Sequence, residues 1–297
     1  MINIGIVGCG HWALKIINEI NNNKKFNLTS IVCRNKNSNF KTLKVFDTVE
    51  KMINANIIDC IYVAAEPKLN LEIVNLIKNK KIPIILEKPV TDTFINAKEL
   101  KKIAINNNLM IYPNLTNYFS ETFKELKNLV DNNFLKIKEI IIYEGNFGPF
   151  RKNINPIWDW GYHSISLLFL LFDYKKFSDV KKKEIKSNNI YGKGIVTKFY
   201  FKINSKINVK IITGNLFKKK IRKIKIILNN NENILNDMIV HEIKFNNKQI
   251  FKNKKSPISS LLNTFEKSIK INDFEISNKL IDVSYHTTKF LDKFYRC

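Results

Sequence analysis

The sequence predicts an α/β protein with a doubly wound parallel sheet, followed by an α+β domain with a mostly antiparallel sheet. With 297 residues, the chain is long enough for two domains of ordinary size. Up to about position 115, apolar runs alternate with amphipathic helical segments, which is typical of parallel strands separated by helices. Beyond about Asn117, strand-like runs with alternating polar and apolar residues follow one another. We therefore expect domains at residues 1–117 and 118–297.

The first domain is expected to contain short apolar strands connected by helices of about a dozen residues. In chain order its segments are the strand Ile4–Val7, the helix Trp12–Asn22, the strands Leu28–Cys33 and Ile57–Ala64, the helix Leu69–Lys80, the strand Pro83–Leu86, the helix Phe94–Asn106 and the strand Met110–Tyr112. A charged connection without a predicted element separates the second strand from the third.

The second domain is expected to combine one apolar helix with several strands and two closing helices. Its segments are the helix Glu121–Asn132, the strand Ile137–Glu144, the helix Ile157–Phe172, the strands Gly194–Ile203, Ile207–Thr213 and Ile221–Leu228, and the helices Pro257–Lys270 and Asn278–Tyr295. In the last of these strands Ile224 and Ile226 alternate with Lys225, which predicts that one face of the sheet is covered.

The composition excludes several classes of protein. Hydrophobic residues make up 44% of the chain, too many for a disordered protein. The longest apolar run, around Ile165–Phe172, is about half as long as a membrane span of roughly 18 residues. The net charge is +24, which is compatible with nucleic-acid binding, but only four of the 50 cations are arginine, the residue that base and phosphate recognition favours. We expect a solvated lysine surface, with no nucleic-acid or membrane partner.

The four cysteines show no spacing typical of a metal or redox site. Cys9, Cys33 and Cys60 lie in or beside predicted buried strands, where cysteine acts as a small hydrophobic side chain. The N-terminal residues lack the features of a secretory signal. These observations predict a cytoplasmic protein without a bound metal.

A glycine-rich motif connects the first strand to the first helix. The run Gly8-Cys9-Gly10-His11-Trp12-Ala13 fits the pattern G-x-G-x-x-G/A of dinucleotide-binding Rossmann domains. In that pattern the first glycine allows a tight turn, the second lets the pyrophosphate approach the backbone, and the small third residue lets the helix pack closely. The free N–H groups of the helix favour phosphate. The motif predicts a nicotinamide dinucleotide as cofactor.

The residue after the second strand bears on the choice between NAD and NADP. NAD enzymes usually offer an acid to the adenosine ribose there. The segment Cys33-Arg34-Asn35-Lys36 contains no acid, and Arg34 is suited to stack on adenine or bind a 2′-phosphate. This favours NADP over NAD, although Arg34 is also compatible with an ordinary solvated cation.

Two further clusters carry side chains suited to catalysis. Glu87-Lys88-Pro89 follows a strand, so Lys88 is expected at the sheet edge where ligands bind, unless it is one more surface lysine. Asp159 and His163 lie four residues apart on one helix face. A histidine titrates near neutral pH and suits a proton acceptor, although a histidine paired with an aspartate at a helix start is also common. Gly161 between them is expected to leave room for a planar ring.

Taken together, these motifs resemble the glucose–fructose oxidoreductase/inositol dehydrogenase (Gfo/Idh/MocA) family over essentially the whole chain. The markers in order are the opening GxGxxA, Ala64-Ala65-Glu66-Pro67, Glu87-Lys88-Pro89 and Asp159–His163. A branch found in nucleotide-sugar and surface-polysaccharide pathways is similar in a stretch that here reads Arg151, Asn155, Trp158, Asp159 and His163. The chain departs from the family at Ala65 for Thr, Asn70 for His and Ser166 for Asp.

The resemblance implies an NAD(P)-dependent oxidoreductase that transfers a hydride between a sugar or nucleotide-sugar carbon and nicotinamide. It implies that His163 takes the hydroxyl proton, Lys88 contacts the same oxygen and Asp159 positions the substrate. The expected cofactor contacts are Gly8, Gly10, His11, Trp12, Arg34, Ala64, Glu66, Glu87 and Lys88. The expected substrate contacts are Asn117, Arg151, Asn155 and Asp159.

Three alternatives to this function remain open at this stage. Within the enzyme class, the chain is also compatible with a polyol or free-sugar dehydrogenase of the inositol type. A non-catalytic relative that senses NAD(P) has the same fold, but it would not need Lys88, Asp159 and His163 together. A nucleic-acid-binding role would show as a steep salt dependence. The resemblance also implies a homo-dimer or homo-tetramer.

Overall fold

The computed structural model describes residues 1–33, 40, 42–150, 155–173, 177–189 and 192–295. Contacts divide them into two compact units. The first comprises residues 1–116 and 256–288, and the second comprises 117–255 and 289–297. The first boundary between the units thus falls one residue before the predicted domain boundary. The segment 256–288 groups with the first unit.

Except for α2, which was not predicted, the helices begin and end close to the predicted positions. They are α1 His11–Asn21, α2 Val49–Asn54, α3 Asn70–Ile77, α4 Phe94–Asn106, α5 Glu121–Asn133, α6 Pro156–Phe172, α7 Pro257–Ile271 and α8 Glu275–Phe294. Side-chain caps fix several starts: the hydroxyl of Thr93 accepts from the Asn96 amide at α4, and that of Ser120 accepts from the Phe123 amide at α5.

The first unit contains a parallel sheet in the doubly wound order. Its strands are β1 Ile2–Val7, β2 Phe26–Val32, β3 Lys44–Phe46, β4 Cys60–Val63, β5 Ile84–Leu86 and β6 Ile111–Pro113. They lie in the order β3-β2-β1-β4-β5-β6, and every pair is parallel. The strand order reverses between β1 and β4, so the loops after these two strands flank the ligand crevice of such folds. The prediction of a doubly wound sheet is confirmed.

Hydrogen bonds attach α7 and the first part of α8 to strand β6 of this sheet. The backbone N–H of Ile111 donates to the Ser277 hydroxyl, and that hydroxyl donates back to the Ile111 carbonyl, at 3.0 and 2.9 Å. The hydroxyls of Tyr112 and Ser268 lie 2.6 Å apart. All four residues are buried. Residues 256–288 therefore complete the layer beside β6, which explains why they group with the first unit.

The second unit contains a mixed sheet with one parallel pair. Its strands are β7 Ile137–Phe147, β8 Phe177–Asn189, β9 Gly192–Ile203, β10 Ile207–Gly214, β11 Leu216–Leu228, β12 Asn233–Asp237, β13 Glu242–Phe245 and β14 Lys248–Lys252. They lie in the order β14-β13-β12-β11-β7-β10-β9-β8, and only the β7–β10 pair is parallel. Helix α6 packs against β7, β9 and β10. The predicted α+β domain with a mostly antiparallel sheet is confirmed.

Several elements were not predicted, and each is either short or largely exposed. Two of the three residues of β3 are exposed, and α2 has only six residues. The edge strand β8 carries Lys181, Lys182 and Lys183, which are typical of a sheet edge that must not pair with another chain. Strands β12, β13 and β14 are short. Over the residues described here, no helix combines the length and apolarity required to cross a membrane.

Candidate functional site

The turn after β1 requires glycine at its first position. Gly8 has φ +108°, a conformation that other residues rarely adopt. A Cβ at Gly8 would lie 2.6 Å from the carbonyl oxygen of Ala64, the residue that follows β4. The Gly8 N–H donates to the Val32 carbonyl at the end of β2, at 3.0 Å. The turn is thus held between the ends of the two strands that flank β1.

Gly10 faces open space at the start of α1. It is the N-cap of the helix with extended backbone (φ −75°, ψ 177°), and a Cβ built on it meets no atom within 4 Å. The first backbone N–H groups of a helix have no partner within the helix, and the first turn of α1 contains no acidic residue. His11 and Trp12, in this first turn, are both exposed. The loop therefore has the shape and the donors that bind a phosphate group.

A disulfide joins Cys9 to Cys33, and the prediction that these two cysteines act only as small hydrophobic side chains is wrong. Their Cα atoms are 5.5 Å apart. The turn at Gly8 brings residue 9 beside the residue that follows β2, although 24 positions separate them in sequence. Cys60 does behave as predicted: it is free and fully buried, and burial raises the pKa of its thiol well above the ordinary value.

Three donors converge on one carboxylate oxygen of Glu87. The Oε1 atom accepts from the Trp12 indole Nε1 at 2.6 Å, from the Tyr62 hydroxyl at 2.5 Å and from the Asn114 Nδ2 at 2.7 Å. Burial, followed by the charge of Glu87, raises the pKa of Tyr62 well above its ordinary value, so Tyr62 remains a donor. The cluster links the first turn of α1 to the carboxyl ends of β4, β5 and β6.

Tyr62 and Asn114 are site residues that the sequence reasoning missed. Tyr62 is the third residue of β4, and Asn114 follows β6 directly. The ends of parallel strands meet at one edge of a sheet, so polar residues at three successive strand ends were the available signal. Tyr62 lies within the apolar run Ile57–Ala64, which predicts burial and gives no sign of the hydroxyl's role, and Asn114 lies beyond the predicted strand Met110–Tyr112.

Lys88 lies next to this cluster and is half-buried. The Lys88–Pro89 peptide bond is cis. The backbone N–H of the preceding Glu87 donates to the Val63 carbonyl at 3.1 Å. Asn70, the departure from the family's histidine, is buried, and its Nδ2 donates to the Val90 carbonyl at 2.9 Å. The segment around Lys88 is therefore tied to β4 on one side and to the start of α3 on the other.

Two other predicted cofactor contacts follow β4. The Ala64 N–H donates to the Val7 carbonyl at 2.8 Å. The Ala64 carbonyl oxygen lies so close to Gly8 that a Cβ there would be only 2.6 Å away. Glu66 is exposed and forms an ion pair with Lys68 at 2.8 Å. Both partners are about two-thirds exposed, so this pair contributes little stability.

In the second unit, the first two turns of α6 carry Asp159 and His163. Asn155 caps the helix, because its Oδ1 accepts from the Ile157 N–H at 3.1 Å. Asp159 is half-buried, and His163 is 9% exposed. Residues 155–163 thus bring three of the predicted site residues onto one helix start.

Gly161 does not leave the expected room for a planar ring. A Cβ there would lie 2.6 Å from the Ile157 Cδ1 and 3.5 Å from the Thr213 Cγ2, so the side of the helix at Gly161 is filled by protein atoms. The glycine instead lets α6 pack closely against β10. Ser166, in place of the family's aspartate, is buried and its hydroxyl donates to the His163 carbonyl at 3.1 Å.

The remaining predicted residues differ in what the structure describes. Asn117 is buried, its carbonyl accepts from Ser120, and its Nδ2 has no partner among the described residues. Arg34 and Arg151 lie outside the described residues. The roles assigned to these three residues remain predictions.

Residues 2–115 match the sequence model of the Gfo/Idh/MocA family, described as an oxidoreductase family with an NAD-binding Rossmann fold. An uncharacterized oxidoreductase of Schizosaccharomyces pombe is 26% identical over 145 residues. That match covers 45% of this chain and 39% of the yeast protein, well under two thirds of its length.

Two solved structures share the fold over nearly the whole chain. One is scyllo-inositol dehydrogenase from Lactobacillus casei with bound NAD(H) and scyllo-inositol: its TM-score is 0.78, its identity is 16%, and the match covers 98% of this chain and 94% of that one. The other is UDP-N-acetylglucosamine 3-dehydrogenase from Acidithiobacillus ferrooxidans: its TM-score is 0.74, its identity is 13%, and the match covers 99% and 98%. At these identities the likeness concerns the fold.

Proposed function

We propose that the chain is an NAD(P)-dependent dehydrogenase of the Gfo/Idh/MocA family that acts on CH–OH groups, since residues 2–115 match the sequence model of that family. The proposed reaction is hydride transfer between a hydroxyl-bearing carbon of a sugar or nucleotide sugar and the cofactor. The observation that carries the proposal is the bond from Trp12 to Glu87, which joins the glycine-loop helix to the residue before Lys88. The bond thereby helps to hold Lys88 at the carboxyl edge of the sheet, where doubly wound folds bind ligands.

The residues of the glycine loop fit a dinucleotide. The space at Gly10 is open, and the N-terminus of α1 offers backbone donors from a first turn that contains no acidic residue. Gly8, Gly10, His11 and Trp12 would hold the pyrophosphate side, with Ala64 and Glu66 at the loop after β4. The nicotinamide, when bound, supplies the hydride acceptor or donor. We propose NADP rather than NAD because the segment after β2 contains Arg34 and no acid.

Three side chains would carry the rest of the reaction. The Lys88 ammonium would donate a hydrogen bond to the reacting oxygen and stabilise the negative charge that develops there. His163 would accept the hydroxyl proton when the alcohol is oxidised and return it in the reverse direction. Asp159, one helical turn before His163, would position the substrate hydroxyl.

The substrate class we propose is a sugar carrying an anionic group, with a nucleotide sugar as the first candidate. The solved nucleotide-sugar dehydrogenase with the same fold supports this class, and the solved inositol dehydrogenase supports the alternative of a free polyol. Arg151 and Asn117 would contact the substrate. Asn155 would contribute only its Nδ2, since its Oδ1 caps α6.

The test is an activity screen followed at 340 nm with NAD and with NADP against UDP-sugars, free sugars and polyols. We expect turnover with a nucleotide sugar and a lower KM for NADP than for NAD. Turnover with polyols alone would favour the inositol-type alternative. Dinucleotide binding without turnover on any substrate class would contradict a dehydrogenase and favour a non-catalytic NAD(P) sensor.

We also propose that the chain forms a homo-dimer or homo-tetramer. On the face of the second sheet that α6 does not cover, Ile141, Tyr143 and Ile212 are only half-buried, and Tyr143 pairs with Ile212 across β7 and β10. A Tyr143→Lys variant should reduce the molar mass measured by light scattering to that of a monomer. A monomeric wild-type protein would contradict the proposal.

A further inference from the structure

The disulfide lies between the two parts of the first unit that contact a dinucleotide in Rossmann domains. Cys9 stands between Gly8 and Gly10, on the pyrophosphate side, and Cys33 is the first residue after β2, on the side of the adenosine ribose. Besides the disulfide, the bond from the Gly8 N–H to the Val32 carbonyl joins the same two segments. The disulfide thus constrains the glycine loop Gly8–Ala13, which we call the phosphate cradle because it has the shape and the donors that bind a phosphate group.

We propose that Cys9 and Cys33 form a reversible redox-modification site, and that the disulfide form binds the dinucleotide more tightly than the dithiol form. In the disulfide form, the space at Gly10 is free of other protein atoms and α1 begins at His11, which is the conformation suited to binding phosphate. A loop held in its binding conformation loses less conformational freedom when the ligand binds. The proposal rests on the dinucleotide binding in the proposed function and adds its regulation.

The chemistry is a two-electron exchange with a peroxide and a dithiol. The Cys9 thiolate attacks hydrogen peroxide to give a sulfenic acid and hydroxide, which a proton converts to water, and the Cys33 thiol then displaces a second water to form the S–S bond. In the reverse direction a dithiol reductant attacks one sulfur, both cysteines return to thiols and the reductant becomes a disulfide. No other oxidant or reductant is needed.

Exposure favours Cys9 as the sulfur that reacts first. Cys9 is half-buried, whereas Cys33 is 3% exposed. The thiol of Cys60 is fully buried, and burial raises its pKa well above the ordinary value, so little of the reactive thiolate forms. A small oxidant should therefore modify the Cys9–Cys33 pair before Cys60.

The test compares the dissociation constant of NADPH in the full-length protein after treatment with hydrogen peroxide and after treatment with dithiothreitol. Mass spectrometry with thiol alkylation verifies each redox state. We expect reduction to raise the dissociation constant by about threefold to tenfold, the effect of freeing a short loop. Cys9→Ser and Cys33→Ser should bind like the reduced protein in both treatments, and the control Cys60→Ala should respond like wild type.

A second measurement uses the reciprocity of linked equilibria. Saturating NADPH should shift the thiol–disulfide equilibrium in glutathione buffers toward the disulfide by the same factor. Equal dissociation constants in the two verified redox states, or tighter binding by the dithiol, would overturn the proposal while leaving the proposed function intact. Absence of dinucleotide binding in both states would overturn the proposed function, and the inference with it.

Discussion

The Trp12 indole Nε1 lies 2.6 Å from the Glu87 Oε1 and donates a hydrogen bond to it. This contact spans 75 positions in sequence and joins the first turn of α1 to the end of β5. Since Tyr62 and Asn114 donate to the same oxygen, a single carboxylate fixes the glycine loop and the ends of three strands relative to Lys88. Glu87 is therefore expected to position its neighbours as well as to contact the cofactor.

Replacing Glu87 by Gln should loosen this arrangement without a change in size. Hydrogen bonds to a charged acceptor contribute about 1.5–3 kcal/mol and those to a neutral acceptor about half as much, so we expect unfolding free energy to fall by about 1–2 kcal/mol. The kcat should also fall, because Lys88 follows directly in the chain. Urea unfolding and steady-state kinetics measure both effects.

The matched variant is Trp12→Phe, which removes one of the three donors to Glu87. Because Trp12 is 39% exposed and water can replace its indole as a donor, the unfolding free energy should fall by about 1 kcal/mol or less, and kcat should change less than in Glu87→Gln. If Glu87→Gln unfolds at the same urea concentration as wild type and retains its kcat, Glu87 has no positioning role.

The phenol of Tyr62 should resist ionisation at high pH. Burial and the charge of Glu87 raise its pKa well above the ordinary value of 10.0, so the folded protein holds this proton more tightly than the unfolded chain does. The stabilising effect is fully present below pH 10 and is lost as the pH rises through the folded-state pKa. Alkaline unfolding of wild type should therefore begin above pH 10.

Absorbance of tyrosinate at 295 nm measures this directly in wild type and Tyr62→Phe. As long as the protein remains folded and the pH stays below the raised pKa of Tyr62, the two titrations should coincide, because Tyr62 then contributes no tyrosinate. A wild-type excess of one ionised tyrosine with a midpoint near pH 10 would show that the hydroxyl is not buried against Glu87.

The parts of the site that sequence predicts are those formed by neighbouring residues. The run Gly8–Ala13 and the pair Asp159 and His163 each lie within one turn or helix start, so spacing alone placed them. The bond of Trp12 to Glu87 and the disulfide of Cys9 with Cys33 depend on strand order, which brings distant strand ends together. Edge strands such as the three-residue β3 and the 13-residue β8 were missed because exposure removes the apolar alternation on which the prediction depends.

The two glycines of the loop should differ in what substitution by alanine damages. At Gly8, φ +108° and the 2.6 Å approach to the Ala64 carbonyl predict a loss of about 2 kcal/mol or more in unfolding free energy. At Gly10 the backbone is extended and no atom lies within 4 Å, so alanine should cost only the preference for glycine at an N-cap, about 1 kcal/mol or less in unfolding free energy. Its methyl group would instead enter the phosphate cradle and weaken dinucleotide binding at least about tenfold.

Thermal unfolding and a dinucleotide titration on both variants separate these effects. A stable Gly10→Ala protein with wild-type affinity would show that the dinucleotide does not approach this part of the backbone. Wild-type stability of Gly8→Ala would contradict the strained turn.

Lys88 and His163 are the two side chains proposed to act on the reacting group. Replacing Lys88 by Met removes one donor to the reacting oxygen and should lower kcat by about 10²–10³-fold. Replacing His163 by Ala removes the proton acceptor and should lower kcat by about 10²–10⁴-fold. The His163→Ala change does not touch the glycine loop, so its dinucleotide binding should remain within a few-fold of wild type. Lys88 is also an expected cofactor contact, so Lys88→Met should weaken dinucleotide binding as well as lower kcat.

The controls are Lys98→Met, which removes an exposed lysine on α4, and His241→Asn, which removes a histidine at a position with φ +54° that asparagine tolerates. Both should retain wild-type kcat. A small-molecule amine that restores turnover in Lys88→Met, or imidazole that restores it in His163→Ala, would identify the missing group as chemical rather than structural. Undiminished kcat in His163→Ala would exclude this histidine as the proton acceptor, and the same result in Lys88→Met would exclude the lysine from the reacting oxygen.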